Sequence, residues 1–299
     1  MAHTIAAKFR GTGVALVTPF KSDYSIDFDA LKKLVNFQIE NGTDYLVVLG
    51  TTGESPTISA TEKQEIIDCV RTTAAGRVPL MLGMGGNHTM DLVAKLKQQD
   101  FTGFSAVLSV SPYYNKPNQN GILAHYKAIA DASPLPVLLY NVPGRTGSNI
   151  TAETTLKLAE HPNIFGTKEA SGNFNQCMEI IQHRPSNFAV ISGDDAFTLP
   201  LIAAGMDGVI SVMGNAYPKK FSSMVQLTLD GKMAEARKLH YELLDAMNLI
   251  FADGSPGGIK VLLEAQNIGG KTVRMPLHDV NDAVRNQLLQ TLSNAQMQA

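Results

Sequence analysis

The chain has 299 residues, is 44% hydrophobic, and carries 25 Lys plus Arg against 27 Asp plus Glu for a formal net charge of −2. With no basic block longer than Lys219-Lys220, that balance argues against nucleic acid or an anionic membrane surface as partner. The N-terminal MAHTIAAKFRGTG has no long apolar stretch, and no run of about 18 apolar residues occurs anywhere, so a cytoplasmic protein is expected.

In chain order, short apolar runs bounded by Gly, Pro, Ser or Asn alternate with segments of helical spacing. GVALVTPF (13–20) precedes DFDALKKLVNFQIENG, YLVVLG (45–50) precedes TEKQEIIDCVRTTAAG, and VPLMLGMG (78–85) precedes TMDLVAKLKQQD. FSAVLSV (104–110), PVLLYNV (136–142), IFGTKEA (164–170), FAVISG (188–193) and GVISV (208–212) bring the series to eight. Asp, Ser or Thr in front of several helical segments, and Gly behind them, supply caps. Continuous apolar strands alternating with helices require a parallel sheet covered by helices. Eight units in about 230 residues, with no glycine-rich dinucleotide fingerprint after the first strand, predict an α/β fold of the (β/α)8 TIM barrel type. After Pro218 the segments 218–229, 231–251, 258–266 and 277–296 look helical, with only a weak strand signal in KTVRM. The first is taken as the eighth barrel helix. The others form a C-terminal helical appendage, which divides the chain into a catalytic barrel, 1–230, and a helical domain, 231–299.

Reactive groups of such a barrel come from the C-terminal ends of strands. The second exit is GTTGES, the fourth SPYYNKP, the fifth YNVPGRTG, the sixth carries Lys168 and the seventh ends in SGDD. Taken alone, a strand-end lysine most often reaches solvent along its flexible stem. Lodged in a barrel mouth, its amine would instead be desolvated, favoured in the uncharged form and nucleophilic toward carbonyls. Alternation along the strand puts Gly166, Lys168 and Ala170 on one face, which leaves room for a substrate. Tyr140 ends the fifth strand; its phenol is packing in most such positions, but one strand from Lys168 it could shuttle protons. Thr51, Thr52, Tyr113 and Tyr114 are the other hydroxyls at hand. GTTGE offers amides and hydroxyls in a tight turn suited to a small carboxylate. Arg145 is a loop guanidinium able to hold a second carboxylate through two hydrogen bonds. Asp194 and Asp195 are expected to cap the seventh helix and would repel a phosphate. The seven histidines are scattered, and Cys69 and Cys177 lack C-x-x-C spacing. No metal and no disulfide framework is expected, and both thiols are expected to be buried and reduced.

GTTGE, SPYYNKP, YNVPGRTG, GTKEASG and SGDD, in that order and at this spacing, resemble the dihydrodipicolinate synthase family of pyruvate-dependent class I aldolases, a group that includes N-acetylneuraminate lyase. The resemblance implies Lys168 as Schiff-base lysine and Tyr140 as proton shuttle. Thr51 and Tyr114 would complete a hydroxyl relay, Tyr114 being supplied by a neighbouring subunit. Thr51 and Thr52 would cradle the pyruvate carboxylate, Arg145 would receive that of aspartate semialdehyde, and Gly193 and Ile210 would line the pocket with main-chain groups. It further implies lysine and diaminopimelate biosynthesis, no cofactor, small-molecule substrates only, and a homotetramer. Members that cleave sugar acids share the lysine, the tyrosine and the turn, so an aldolase for 2-keto-3-deoxy sugar acids is the alternative, and a non-catalytic keto-acid binder a further one. Arg145 favours the synthase.

Feedback-inhibited members hold lysine just beyond the GTTGES turn. In this chain Ala60 and Lys63 stand where imidazole-type ligands would serve and Asp91 where a glutamate would fall, while Asn87 and Tyr113 are retained. A cationic Lys63 would repel the ammonium groups of lysine, so weak or absent inhibition is expected.

Overall fold

The computed structural model describes residues 5–297. The apolar runs become β1 (Gly11–Ala15), β2 (Tyr45–Val48), β3 (Leu80–Gly83), β4 (Ala106–Val110), β5 (Val137–Asn141), β6 (Ile164–Glu169), β7 (Ala189–Ser192) and β8 (Gly208–Ser211). Each pairs in parallel with the next and β8 pairs with β1, giving a closed barrel in sequence order. A short α1 (Ile5–Lys8) precedes β1. The barrel helices are α2 (Phe28–Glu40), α3 (Ala60–Ala74), α4 (Thr89–Gln98), α5 (Gln119–Ala132), α6 (Pro143–Thr146), α7 (Ala152–Leu158), α8 (Phe174–His183), α9 (Thr198–Ala203) and α10 (Pro218–Leu229). The chain then continues as α11 (Met233–Leu249), α12 (Gly257–Ala265) and α13 (Asp282–Met297).

Local chemistry fixes where helices begin. Asp27, Asn118, Thr151 and Asn173 each accept a first-turn amide, and Ser59 with Glu62 forms a reciprocal capping box at α3. Two apolar cores result. One fills the space between strands and helices, with Leu34, Ile67, Tyr126, Ile180 and Phe221 buried in it. The other fills the barrel itself and is closed below by Phe9, whose ring meets Tyr45 at 5.1 Å and Phe165 at 5.4 Å. Gly13 leaves the space for this plug, since a Cβ there would fall 2.1 Å from the Tyr45 ring. With the bottom filled, reactants can enter only from the opposite rim.

Three segments differ from the sequence reading. β1 ends at Ala15 although the apolar run continues to Phe20. Beyond it Val17 donates to the Asn215 side chain and Pro19 has no amide to give, so the run leaves the ladder while staying buried. KTVRM forms no strand: the Thr272 carbonyl accepts from the Lys260 side chain and the Arg274 amide donates to Glu54, which uses its backbone for side chains. The last helix starts at Asp282, not 277. Cys177 is buried but Cys69 only half so, and both are free thiols.

Candidate active site

β5 and β6 bring the two leading candidates together. Their register sets Tyr140 opposite Lys168 and Asn141 opposite Glu169. Tyr140 and Lys168 are both nearly enclosed, at 6% and 5% exposure, and the Lys168 Nζ sits 4.3 Å from the centre of the Tyr140 ring. The lysine is therefore not the solvent-reaching kind. Room for its stem comes from the residue just after β7: a Cβ on Gly193 would lie 2.8 Å from Lys168 Cε and 2.7 Å from Ala170 Cβ. The Gly193 amide is in turn fixed by the Glu169 carbonyl at 2.8 Å.

Glu169, the next residue along β6, faces the other way and is 1% exposed. It accepts from Asn141 Nδ2 at 3.0 and 3.1 Å, from Gln176 Nε2 at 3.2 Å and from the Ser171 amide at 2.9 Å. Burial pushes its carboxyl up, against these hydrogen bonds. Asn141 also accepts the Ile150 amide, so this network bolts β5 to β6 and to the loop following Arg145. Sequence reasoning had passed over Asn141, Glu169 and Gln176. The available signal was the polar residue directly after each singled-out side chain, which alternation turns toward the helices.

Above this pair lies a cleft of about 490 Å3 that Thr51, Tyr113, Tyr140 and Arg145 help to line. Lys168, Thr52, Gly193 and Ile210 are not among its lining residues; the lysine meets it through the Tyr140 ring. Thr51–Gly53 forms a single 3-10 turn after β2, whose first amides have no partner within the turn. Thr52 is 5% exposed and Thr51 is open. Arg145 is exposed on α6 at the cleft wall, its helix ended by Gly147 in the left-handed region. Ile210 is fully buried inside the barrel, paired to Gly13.

Tyr114 is not in the cleft. It is 87% exposed with φ +72, a conformation rare for a bulky residue, beside Tyr113, whose carbonyl is held by Asn87. Asp194 accepts the amide of Phe197, the residue before α9, and that helix has no side-chain cap, so the expected capping by Asp194 is not found. Asp195 is no cap either: it is 2% exposed and receives the amides of Val212 and Met213 across the exit of β8. The seventh loop crosses to the eighth unit before α9 begins, so its second carboxylate reaches that strand rather than its own helix. Among the described residues no group of three or more His, Cys, Asp or Glu is placed to hold a metal ion, and no helix is long and apolar enough to cross a membrane.

Comparison with known proteins bears on the family and the fold. A model of the dihydrodipicolinate synthetase family matches residues 8–295. A 4-hydroxy-tetrahydrodipicolinate synthase of Flavobacterium psychrophilum is 55% identical over 281 residues, covering 94% of this chain and 96% of that protein. One of Parabacteroides distasonis is 54% identical over 269 residues, 90% of this chain and 91% of that protein. The crystal structure of the dihydrodipicolinate synthase from Aquifex aeolicus superposes with a TM-score of 0.93 at 37% identity, covering 96% of this chain and 98% of that one.

Proposed function

The chain belongs to the dihydrodipicolinate synthetase family, and from that premise we propose that it condenses pyruvate with L-aspartate 4-semialdehyde through an imine on Lys168, giving 4-hydroxy-tetrahydrodipicolinate. The observation that carries this reading is the enclosed Lys168 amine beside the Tyr140 ring at the closed barrel's rim.

The steps follow from the groups present. The Lys168 amine adds to the keto carbon of pyruvate, water leaves, and the protonated imine withdraws electrons so that a methyl proton can be removed. The resulting enamine attacks the aldehyde carbon, whose oxygen takes up a proton. The amine of the second substrate then displaces the lysine nitrogen and closes the ring. Every step moves a proton, which is the work assigned to Tyr140, to Thr51 at the cleft wall, and to Tyr114 of a neighbouring copy of the chain. The first amides of the 51–53 turn, at Thr51 and Thr52, which the turn itself does not use, are suited to the pyruvate carboxylate, and Arg145 to the carboxylate of the semialdehyde. Gly193 keeps space for the lysine stem, and Ile210 belongs to the apolar floor below. The steps as written draw only on groups of this chain and of its neighbouring copy.

An exposed tyrosine in a strained conformation beside the cleft fits a surface covered by another subunit, and a homotetramer in the cytoplasm is part of the proposal. So is the division into a barrel, 1–230, and a helical unit, 231–299. Reduction with borohydride in the presence of pyruvate tests the chemistry: a pyruvate-sized adduct on Lys168 is expected, and its absence would reduce the protein to a keto-acid binder. Turnover with pyruvate and aspartate semialdehyde, against cleavage of a 2-keto-3-deoxy sugar acid, tests the second substrate.

A further inference from the structure

A deeply buried ion pair, Lys260 with Glu54, lies outside the lining of the cleft. Lys260 stands in α12, where residues 257–263 are all buried, and its side chain is 1% exposed. The Nζ donates to Glu54 Oε1 at 2.5 Å and to the Thr272 carbonyl at 2.8 Å, and lies 4.3 Å over the Phe20 ring. The second oxygen of Glu54 accepts the Arg274 amide at 2.9 Å. Arg274 stacks on the same Phe20 ring at 4.4 Å and reaches the carbonyls of Tyr24 and Thr57 and the carboxylate of Glu62. Burial pulls the Lys260 ammonium down to about 8 even with Glu54 opposing.

A pair buried this deeply adds little stability over apolar groups of the same volume. What it supplies is direction. Glu54 closes the 51–53 turn: its amide donates to the Thr51 carbonyl, and its backbone sits in the left-handed region at φ +55. With Glu54 tied to α12 and to residues 272–274, and the Gly53 carbonyl held by Thr18 Oγ1 at 2.7 Å, the turn is clamped from two sides. A residue that only packed the appendage would have no reason to end in a carboxylate adjoining this turn.

We propose that Glu54 and Lys260 are positioning residues for the Thr51–Thr52 turn, so that the C-terminal segment sets where a pyruvate carboxylate is held relative to Lys168. The proposal rests on the reading of that turn as the carboxylate cradle.

Glu54→Gln, Lys260→Met and the double variant test it in the full-length protein. A turn displaced by about 1 Å should raise the pyruvate KM about tenfold or more. The semialdehyde KM should stay within about twofold, because that substrate's carboxylate is held from another loop. The pyruvate concentration needed for half-maximal borohydride trapping should rise in step. The two single variants and the double should lose similar amounts, since either change removes the same tie. The double carries no unpaired buried charge and so remains folded if a single variant does not. A pyruvate KM in the double equal to the parent's, whatever happens to Tm, overturns the proposal and leaves the pair a packing feature. Failure of the parent itself to trap pyruvate on Lys168 would instead bring down the functional reading on which the proposal stands.

Discussion

Gly193→Ala isolates the part of the site that depends on space rather than on chemistry. The added methyl would meet Lys168 Cε at 2.8 Å, Lys168 Cγ at 3.3 Å and Ala170 Cβ at 2.7 Å. β7 cannot slide away, because the residue 193 amide is held by the Glu169 carbonyl and Glu169 is itself anchored by Asn141 and Gln176. The lysine stem must therefore yield by roughly 0.6 Å to regain ordinary contact near 3.4 Å. Its end, which has to meet the keto carbon at bonding distance, swings by more. A misplacement near 1 Å costs on the order of 10 to 100-fold in rate, or about 1.4 to 2.7 kcal/mol of barrier. The overpacked methyl adds about 1 to 3 kcal/mol of lost stability. Single-turnover borohydride trapping at saturating pyruvate reads the first effect, and urea denaturation the second. Trapping within twofold of the parent, in a variant that is folded, would mean the amine does not depend on the space Gly193 leaves.

Arg145→Ala should leave the pyruvate adduct intact and lower kcat/KM for aspartate semialdehyde about 10 to 100-fold, the loss of a charge-assisted contact; unchanged turnover would remove the arginine from substrate binding. Lysine should fail to inhibit at sub-millimolar concentration: Lys63 shares the cavity with Asn87, and Asp91 is already paired to Lys95 at 2.6 Å. Half-inhibition in that range in a steady-state assay would contradict this. Asp195→Asn should change the pH dependence of stability. Burial raises the Asp195 carboxyl from 3.8 to about 6, so between those values the folded state holds more protons than the unfolded one. The stability this gives is fully present below pH 3.8 and is lost as pH rises through about 6. The variant, which has no such proton to lose, should gain on the parent by up to about 3 kcal/mol between pH 4 and 7. Buried His125, lowered to about 4, titrates in the same window but cancels in the comparison. A difference in urea midpoint that does not vary with pH would refute it.

Along β5 and β6 the sequence carried nearly everything. Apolar residues in short runs punctuated by Gly and Pro can be satisfied only as buried parallel strands, so the barrel, the strand exits, and the two-residue period that separates Lys168 from Glu169 were legible from residue type and order. The shortened β1, the course of KTVRM and the errant Asp195 were not. In each, the decisive partner arrives from more than 15 residues away, as Asn215 does to Val17, Glu54 to Arg274 and Met213 to Asp195. Local spacing has no access to such pairs.

The amino-acid order by itself determined the eightfold alternation, the family resemblance and which side chains could do chemistry, because patterning and turn preferences act over a few residues. Closure of the barrel decided the rest. It put Tyr140 level with Lys168 through the β5–β6 register, left Gly193 as the space beside the lysine, and brought Lys260 some 200 residues along the chain to Glu54. The physical reason is that burial and hydrogen bonding reward proximity in space, and a closed sheet makes distant strands and helices neighbours without leaving any trace in local sequence.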